Sequence, residues 1–256
     1  MPWPALAART EGDGAPFVLL HGGVGSSSHW ARNIEALARN YRVVAFDLPG
    51  YGASPDVPEN LEPEQYIDWV AATVSEVAGD GCELAGFSFG GVIAARIAAR
   101  FGARIQRLSL LAPGGFGVPK GRVISTVKVP PQGTSPQERR KAVAANLASW
   151  MLSTLPGSDD EVVDMQIYNI DHARFDSRRV SLRETLLEDL RRMTASVQLM
   201  WGARDALAYP SIDARAEVCR AVRPGMPVEL IEDAGHWVQF EQPERVNELL
   251  LKFHRG

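Results

Sequence analysis

Gly86-Phe87-Ser88-Phe89-Gly90 sets a serine between two glycines, after an apolar run (Cys82, Leu84, Ala85) and before an alanine-rich stretch with helical spacing. The chemistry this permits is nucleophilic attack. A serine at a sharp strand-to-helix turn takes a strained backbone conformation that lifts its hydroxyl clear of neighbouring side chains. Gly86 and Gly90 supply the clearance. Gly91, Val92, Ile93, Ile97 and Phe101 follow with the small-then-apolar spacing of a helix packed on a sheet, its N-terminus aimed at the serine where an oxyanion would develop. Taken alone, the pentapeptide reads equally well as a glycine-rich connection, so its partners decide.

The run 197–201 reads as a buried strand and ends in Gly202-Ala203-Arg204-Asp205, which places an aspartate in the following loop. By itself Asp205 is an ordinary turn or helix-cap residue. A second strand-like run, 228–231, leads to Asp233-Ala234-Gly235-His236-Trp237. Two strand-end residues arriving in the order acid, histidine after the serine turn fit the triad Ser88, Asp205 and His236. His21 precedes the serine and cannot serve as base in this order. His29 belongs with the same early loop, His172 lies in an inserted region, and His254 sits on the last helix, where a solvated role is the default reading. The glycine-rich loop His21-Gly22-Gly23 can turn a backbone N–H toward the serine: Gly23 is the first candidate, Val24 the next, and Phe89 offers a second N–H from the helix start.

With these pieces assembled, the chain resembles the α/β-hydrolase superfamily along nearly its whole length. The resemblance rests on His21-Gly22-Gly23, the stretch Asp47-Leu48-Pro49-Gly50-Tyr51-Gly52-Ala53-Ser54, the turn at Ser88, the turn from Gly202 to Asp205, and Gly235-His236. It implies that His236 takes the Ser88 proton, Asp205 orients His236, and the amides of Gly23 and Phe89 bind the oxyanion. A serine at the turn sets the chain apart from the superfamily's dehalogenases, which place an aspartate there. The 47–54 stretch reads as architecture bordering the site.

Locally the chain is also similar to carboxylesterases and to the hydrolases that cleave carbon–carbon bonds in meta-cleavage products. The second likeness lies in the Gly22-Gly23 loop, in Pro113-Gly114-Gly115-Phe116-Gly117, and in Trp237, which in that subgroup shapes the pocket. Two departures move weight toward plain esters: Phe87 stands where the subgroup has asparagine, and Tyr168-Asn169 stands near the position of its carboxylate-binding arginine. Three readings follow. The first is hydrolysis of a small carboxylic ester or of a carbon–carbon bond beside a carbonyl. The others are a cofactor-free perhydrolase or haloperoxidase-type activity, and a slow-turnover ligand receptor or lyase on the same fold.

The elements needed to position these residues alternate along the chain. Strands are expected near 17–21, 42–46, 82–87, 105–111, 196–201 and 227–232, and helices near 29–39, 63–78, 90–101, 210–222 and 243–254, a mainly parallel doubly wound sheet. The first sixteen residues leave room only for an abbreviated antiparallel edge. After Leu111-Ala112-Pro113 the alternation lapses, which divides the chain into an α/β core (1–113 and 194–256) and an inserted helical cap (114–193). The cap opens with a Gly/Pro-rich loop suited to a mobile lid and continues in helices near 137–153, 159–172 and 179–192. Trp150 and Tyr168 are candidate pocket residues within it, with packing of the cap onto itself as the alternative. Arg174, Arg178, Arg179 and Arg183 offer either a carboxylate site or a solvated face.

Composition agrees with a small-molecule enzyme. With 256 residues, 45% of them hydrophobic, the chain can bury a core and still spare an insertion. The net charge of −4, with no block of like charge, points away from nucleic acid and anionic membranes. Cys82 and Cys219 read as buried free thiols; no metal cluster or cofactor is expected, self-association is open, and without a leader-like start or an apolar span the expected location is cytoplasmic.

Overall fold

The computed structural model describes residues 3–255; Met1, Pro2 and Gly256, at the outer ends of the expected core segments, lie outside the described residues. The strands are β1 (Ala8–Glu11), β2 (Pro16–Leu20), β3 (Arg42–Phe46), β4 (Cys82–Phe87), β5 (Ile105–Leu111), β6 (Ser196–Gly202) and β7 (Val228–Ile231), in the spatial order β1-β3-β2-β4-β5-β6-β7. All neighbours are parallel except β1, a short exposed strand antiparallel to β3 that forms the abbreviated edge. β2 to β6 are nearly continuous apolar runs because helices cover both faces.

On one side α1 (Ile34–Ala38) meets α10 (Pro243–Arg255), which follows the short α9 (Val238–Glu241). On the other, α2 (Pro63–Ala78), α3 (Phe89–Phe101), α7 (Leu186–Arg192) and α8 (Ile212–Val222) stand in a row. α2 has clear start and stop signals: Pro63 opens it, Glu62 and Gln65 cap each other's backbone amides, and Gly79 ends it at φ 55°.

Between β5 and β6 come the remaining insertion helices α4 (Pro136–Trp150), α5 (Glu161–Asp171) and α6 (Arg178–Ser181), ahead of α7. α4 and α5 lie against each other, tied by the ion pairs Arg139–Asp171 and Arg140–Asp164. α7 instead joins the core row, where Arg96 of α3 meets Asp189 at 2.7 Å.

Two expected helices are divided. In 179–192 the Gly115 carbonyl accepts the amides of Thr185 (3.0 Å) and Leu186 (3.1 Å), which opens the chain between α6 and α7. In 29–39 the His29 carbonyl accepts from the side chains of Trp237 and Gln239 instead of from the next helical turn, leaving a 3₁₀ turn, Ser27–Trp30, before α1. His254 corrects the expectation of a solvated role: the last turn of α10 lies under the sheet with this ring 4.4 Å from that of Phe17, and it is buried. No helix among the described residues is long and apolar enough to cross a membrane.

Candidate active site

Ser88, Asp205 and His236 follow β4, β6 and β7, so three C-terminal strand ends deliver them to one edge of the sheet. Ser88 sits at φ 52°, ψ −111°, a strained conformation for a residue with a side chain. The flanking glycines allow it. A Cβ on Gly86 would fall 2.5 Å from the Gly90 carbonyl oxygen, and one on Gly90 would fall 2.4 Å from the carbonyl oxygens of Leu20 and His21. The start of α3 therefore lies directly on the end of β2.

Ser88 Oγ is 2.9 Å from His236 Nε2, and His236 Nδ1 is 2.9 Å from Asp205 Oδ2. The other Asp205 oxygen accepts the Leu207 amide at 2.8 Å, which fixes the carboxylate plane. Asp205 and His236 are buried, whereas Ser88 is half-buried and faces a cavity of about 450 Å³. The loop carrying His236 is held from the insertion: the Trp237 amide donates to the Met151 carbonyl at 2.8 Å. Glu241 joins the same brace, accepting the Gly235 amide at 2.6 Å on one oxygen and the Ser153 amide and hydroxyl, each at 2.8 Å, on the other.

The amides of Gly23 and Phe89 take no hydrogen bond among the described residues, and both residues line the cavity beside Ser88. Val24, at φ 50°, also lines the cavity and gives its carbonyl to Gln166 Nε2 at 3.1 Å. Two buried histidines hold this loop. His21 Nδ1–H donates to the Gly22 carbonyl at 2.7 Å while its Nε2 accepts the Leu48 amide at 2.9 Å. His29 Nδ1 accepts the Gly22 amide at 3.2 Å. Burial lowers His21 to about 4 and takes His29 well below its ordinary value, so both are neutral near pH 7. Asp47 accepts the amides of Ser27 (2.7 Å) and Ala53 (2.9 Å), consistent with an architectural 47–54 stretch.

Of the three candidate substrate residues, only Trp150 lines the cavity, together with Met151, Ile124, Leu182 and Leu207. Tyr168 does not. On α5 it is Gln166 and Asn169, three residues apart, that face inward, Asn169 bonding Ser26 and Ser28, while Tyr168 turns outward, 44% exposed and stacked on His172. Trp237 also lies outside the cavity wall: it is fully buried, with its ring 4.6 Å from His29 and its Nε1 donating to the His29 carbonyl. Of the arginines singled out from the sequence, Arg178 lines the cavity while pairing with Asp176; the others are engaged elsewhere, Arg174 with Asp56, Arg183 with Glu64 and Arg179 with the Leu61 carbonyl.

Sequence reasoning passed over Arg122 and Arg215, which stand in a narrow cleft beside Ser88. A signal for Arg215 exists, since it interrupts the apolar stripe Ile212, Ala216, Cys219 of α8. A larger open groove of about 660 Å³, lined by Arg32, Leu155 and Phe240 among others, contains none of the triad. No group of three or more His, Cys, Asp or Glu among the described residues is arranged to hold a metal. Cys82 and Cys219 are free and buried, which pushes both thiols up to about 12.

Comparison with known proteins bears on the family and the fold. Over 250 residues the chain is 29% identical to the dihydrolipoyllysine-residue acetyltransferase component of the acetoin cleaving system of Pseudomonas putida, covering 94% of this chain and 64% of that protein. It spans a similar share, 66%, of the counterpart in Cupriavidus necator. It is 26% identical to a 2-hydroxy-6-oxononadienedioate/2-hydroxy-6-oxononatrienedioate hydrolase of Burkholderia vietnamiensis, over 93% of this chain and 86% of that one. The solved structure of carboxylesterase CesB from Bacillus subtilis superposes with a TM-score of 0.71 at 23% identity, covering 96% of this chain and 86% of the other, and so shares the fold. Residues 17–249 match the Alpha/beta hydrolase family, and the chain belongs to that family.

Proposed function

We propose that the protein is a serine hydrolase of small carboxylic esters, with a carbon–carbon bond beside a carbonyl as the related target. The observation that carries this reading is the strained, cavity-facing Ser88 whose Oγ lies 2.9 Å from His236 Nε2. In the first step Ser88 Oγ attacks the ester carbonyl carbon and its proton passes to His236 Nε2. The carbonyl oxygen takes the negative charge between the Gly23 and Phe89 amides, and Asp205 stabilises the imidazolium. Collapse breaks the carbon–oxygen bond, and the leaving alcohol takes the proton from His236. A water then gives its proton to His236, attacks the acyl-serine and releases the acid, after which the proton returns to Ser88.

Phe87 supports esters over dienol substrates. Its ring lies 5.1 Å from that of His236 and 5.4 Å from that of His29, an apolar wall where proton movement to a dienol would be helped by a polar group. The insertion acts in this reading as a cap over a small-molecule pocket, with Trp150 and Met151 as part of its roof.

The test compares wild type with Ser88→Ala on a short-chain p-nitrophenyl ester and on a 2-hydroxy-6-oxo-dienoate. Ser88-dependent cleavage of the ester alone supports the esterase reading. Fast Ser88-dependent loss of the dienoate moves the protein to carbon–carbon cleavage, and equal rates for wild type and variant on both substrates overturn the mechanism.

A further inference from the structure

Two guanidinium groups stand beside the triad without a carboxylate of their own. Arg215 on α8 is only 9% exposed; its Nε donates to the Tyr209 carbonyl at 3.1 Å and its guanidinium lies 4.5 Å over the Phe116 ring. Its two terminal nitrogens take no hydrogen bond among the described residues. Arg122, in the loop after β5, is half-buried and gives a single bond, from Nη1 to the Leu207 carbonyl at 2.9 Å. Neither forms an ion pair among the described residues, and the acid whose charge they feel, Asp205, already accepts from His236 and Leu207.

Burying one cation without a counter-charge is unfavourable, and setting a second beside it adds repulsion. Such an arrangement needs an anion, and the cleft is where one fits. Arg122 and Arg215 line a cleft of about 90 Å³ whose wall also includes Ser88 and His236, so an anion held there is on the same molecule as the bond being cut. The planar guanidinium fork favours a carboxylate, which it meets with two parallel charge-assisted hydrogen bonds.

We propose that Arg122 and Arg215 form a carboxylate subsite of the active site, and that the substrate is an ester bearing a free carboxylate a few bonds from its scissile carbonyl. This rests on the serine hydrolase reading above, and it assigns the anion to residues distinct from the arginines of the insertion helices.

Two measurements separate the subsite from that reading. The first compares kcat/KM for monomethyl glutarate and for methyl pentanoate, its neutral counterpart, by methanol release. Wild type is expected to prefer the half-ester by roughly 10- to 100-fold, the range for a charge-assisted hydrogen bond, with the ratio falling toward one in Arg122→Gln and Arg215→Gln. Arg122 is the less buried of the two, so its variant serves if Arg215→Gln does not fold. The second follows thermal stabilisation by glutarate in Ser88→Ala, which needs no turnover. Stabilisation that is lost when Arg122→Gln is added supports the subsite even if no ester is cleaved, a result that would instead remove the hydrolase reading. Ser88-dependent cleavage with no preference for the half-ester overturns the subsite and leaves the hydrolase standing. Stabilisation by glutarate that survives Arg122→Gln likewise overturns it.

Discussion

The described residues contain two serine–histidine–acid relays, one at the C-terminal strand ends and one between the sheet and α10, and only the first has a strained serine facing a cavity. At the C-terminal strand ends are Ser88, His236 and Asp205. Between the sheet and α10, His254 Nδ1 is 2.6 Å from Glu83 Oε2, and its Nε2 is 2.7 Å from Ser109 Oγ. The order of hydrogen bonds is the same, and the distances are if anything shorter. Three things differ. Ser109 lies inside β5 in ordinary strand geometry, whereas Ser88 is at φ 52°. Ser109 is fully buried, and its oxygen also accepts from Gln198 Nε2 at 2.7 Å, so it has neither access nor a free direction of attack. Beside Ser88 the amides of Gly23 and Phe89 have no hydrogen-bond partner among the described residues, while the Ser109 backbone belongs to a sheet interior. A relay of this kind polarises a hydroxyl, but strain, access and waiting donors make that hydroxyl reactive. Buried and satisfied, the same triple joins β4, β5 and α10 as a structural clamp.

Replacing the two serines gives the largest contrast. Ser88→Ala is expected to lower kcat on a p-nitrophenyl ester by about 10⁶, whereas Ser109→Ala should leave kcat near wild type and lower stability by roughly 1–3 kcal/mol, because His254 and Gln198 lose a buried partner. Steady-state kinetics and urea unfolding of both variants check this; a large activity loss in Ser109→Ala would break the distinction. The acids come next. Asp205→Asn should reduce kcat by about 10⁴ through the wrong histidine tautomer, and Glu83→Gln should change stability and leave kcat near wild type.

The legibility of the two relays in the sequence differs for physical reasons. Each member of the first lies in the turn or loop after a strand and within a short local pattern containing glycine, because a loop that turns sharply needs particular residues. Ser109 and Glu83 sit within strands whose only visible feature is apolarity, and His254 is one polar residue on an amphipathic helix, so nothing local joins them. The sheet and its order of alternation are likewise legible, as the period of the apolar residues carries them. Which face of an insertion helix turns inward is not: Tyr168 lies outward because Gln166 and Asn169 find partners in the loop after β2, a choice made by tertiary contacts. Trp237 is misread for a similar reason, since adjacency to His236 in sequence fixes its position and leaves its direction open.

The pH response sharpens the comparison further. Burial lowers His21, His29 and His254. For His254 the Glu83 carboxylate opposes burial without cancelling it. As pH falls below about 6.5 the unfolded chain takes up protons at these rings and the folded protein does not, so the unfolded state binds more protons and stability declines. His21, held to about 4, alone withdraws roughly 3 kcal/mol by the time the pH reaches that value. Urea midpoints at pH 7.5, 6 and 4.5 should fall in that order; a flat profile would mean that these rings are not held neutral. The smallest effect expected is at Tyr168→Ala, with kcat/KM within about twofold of wild type, in contrast to a clear rise in KM for Trp150→Ala on the cavity wall.

The brace between the His236 loop and the insertion has a practical bearing on engineering. Met151, Ser153 and Glu241 tie the His236 loop to the stretch that follows α4. A chimera that exchanges the insertion for a relative's would therefore move His236 unless 150–153 and 235–241 travel together as one inherited unit.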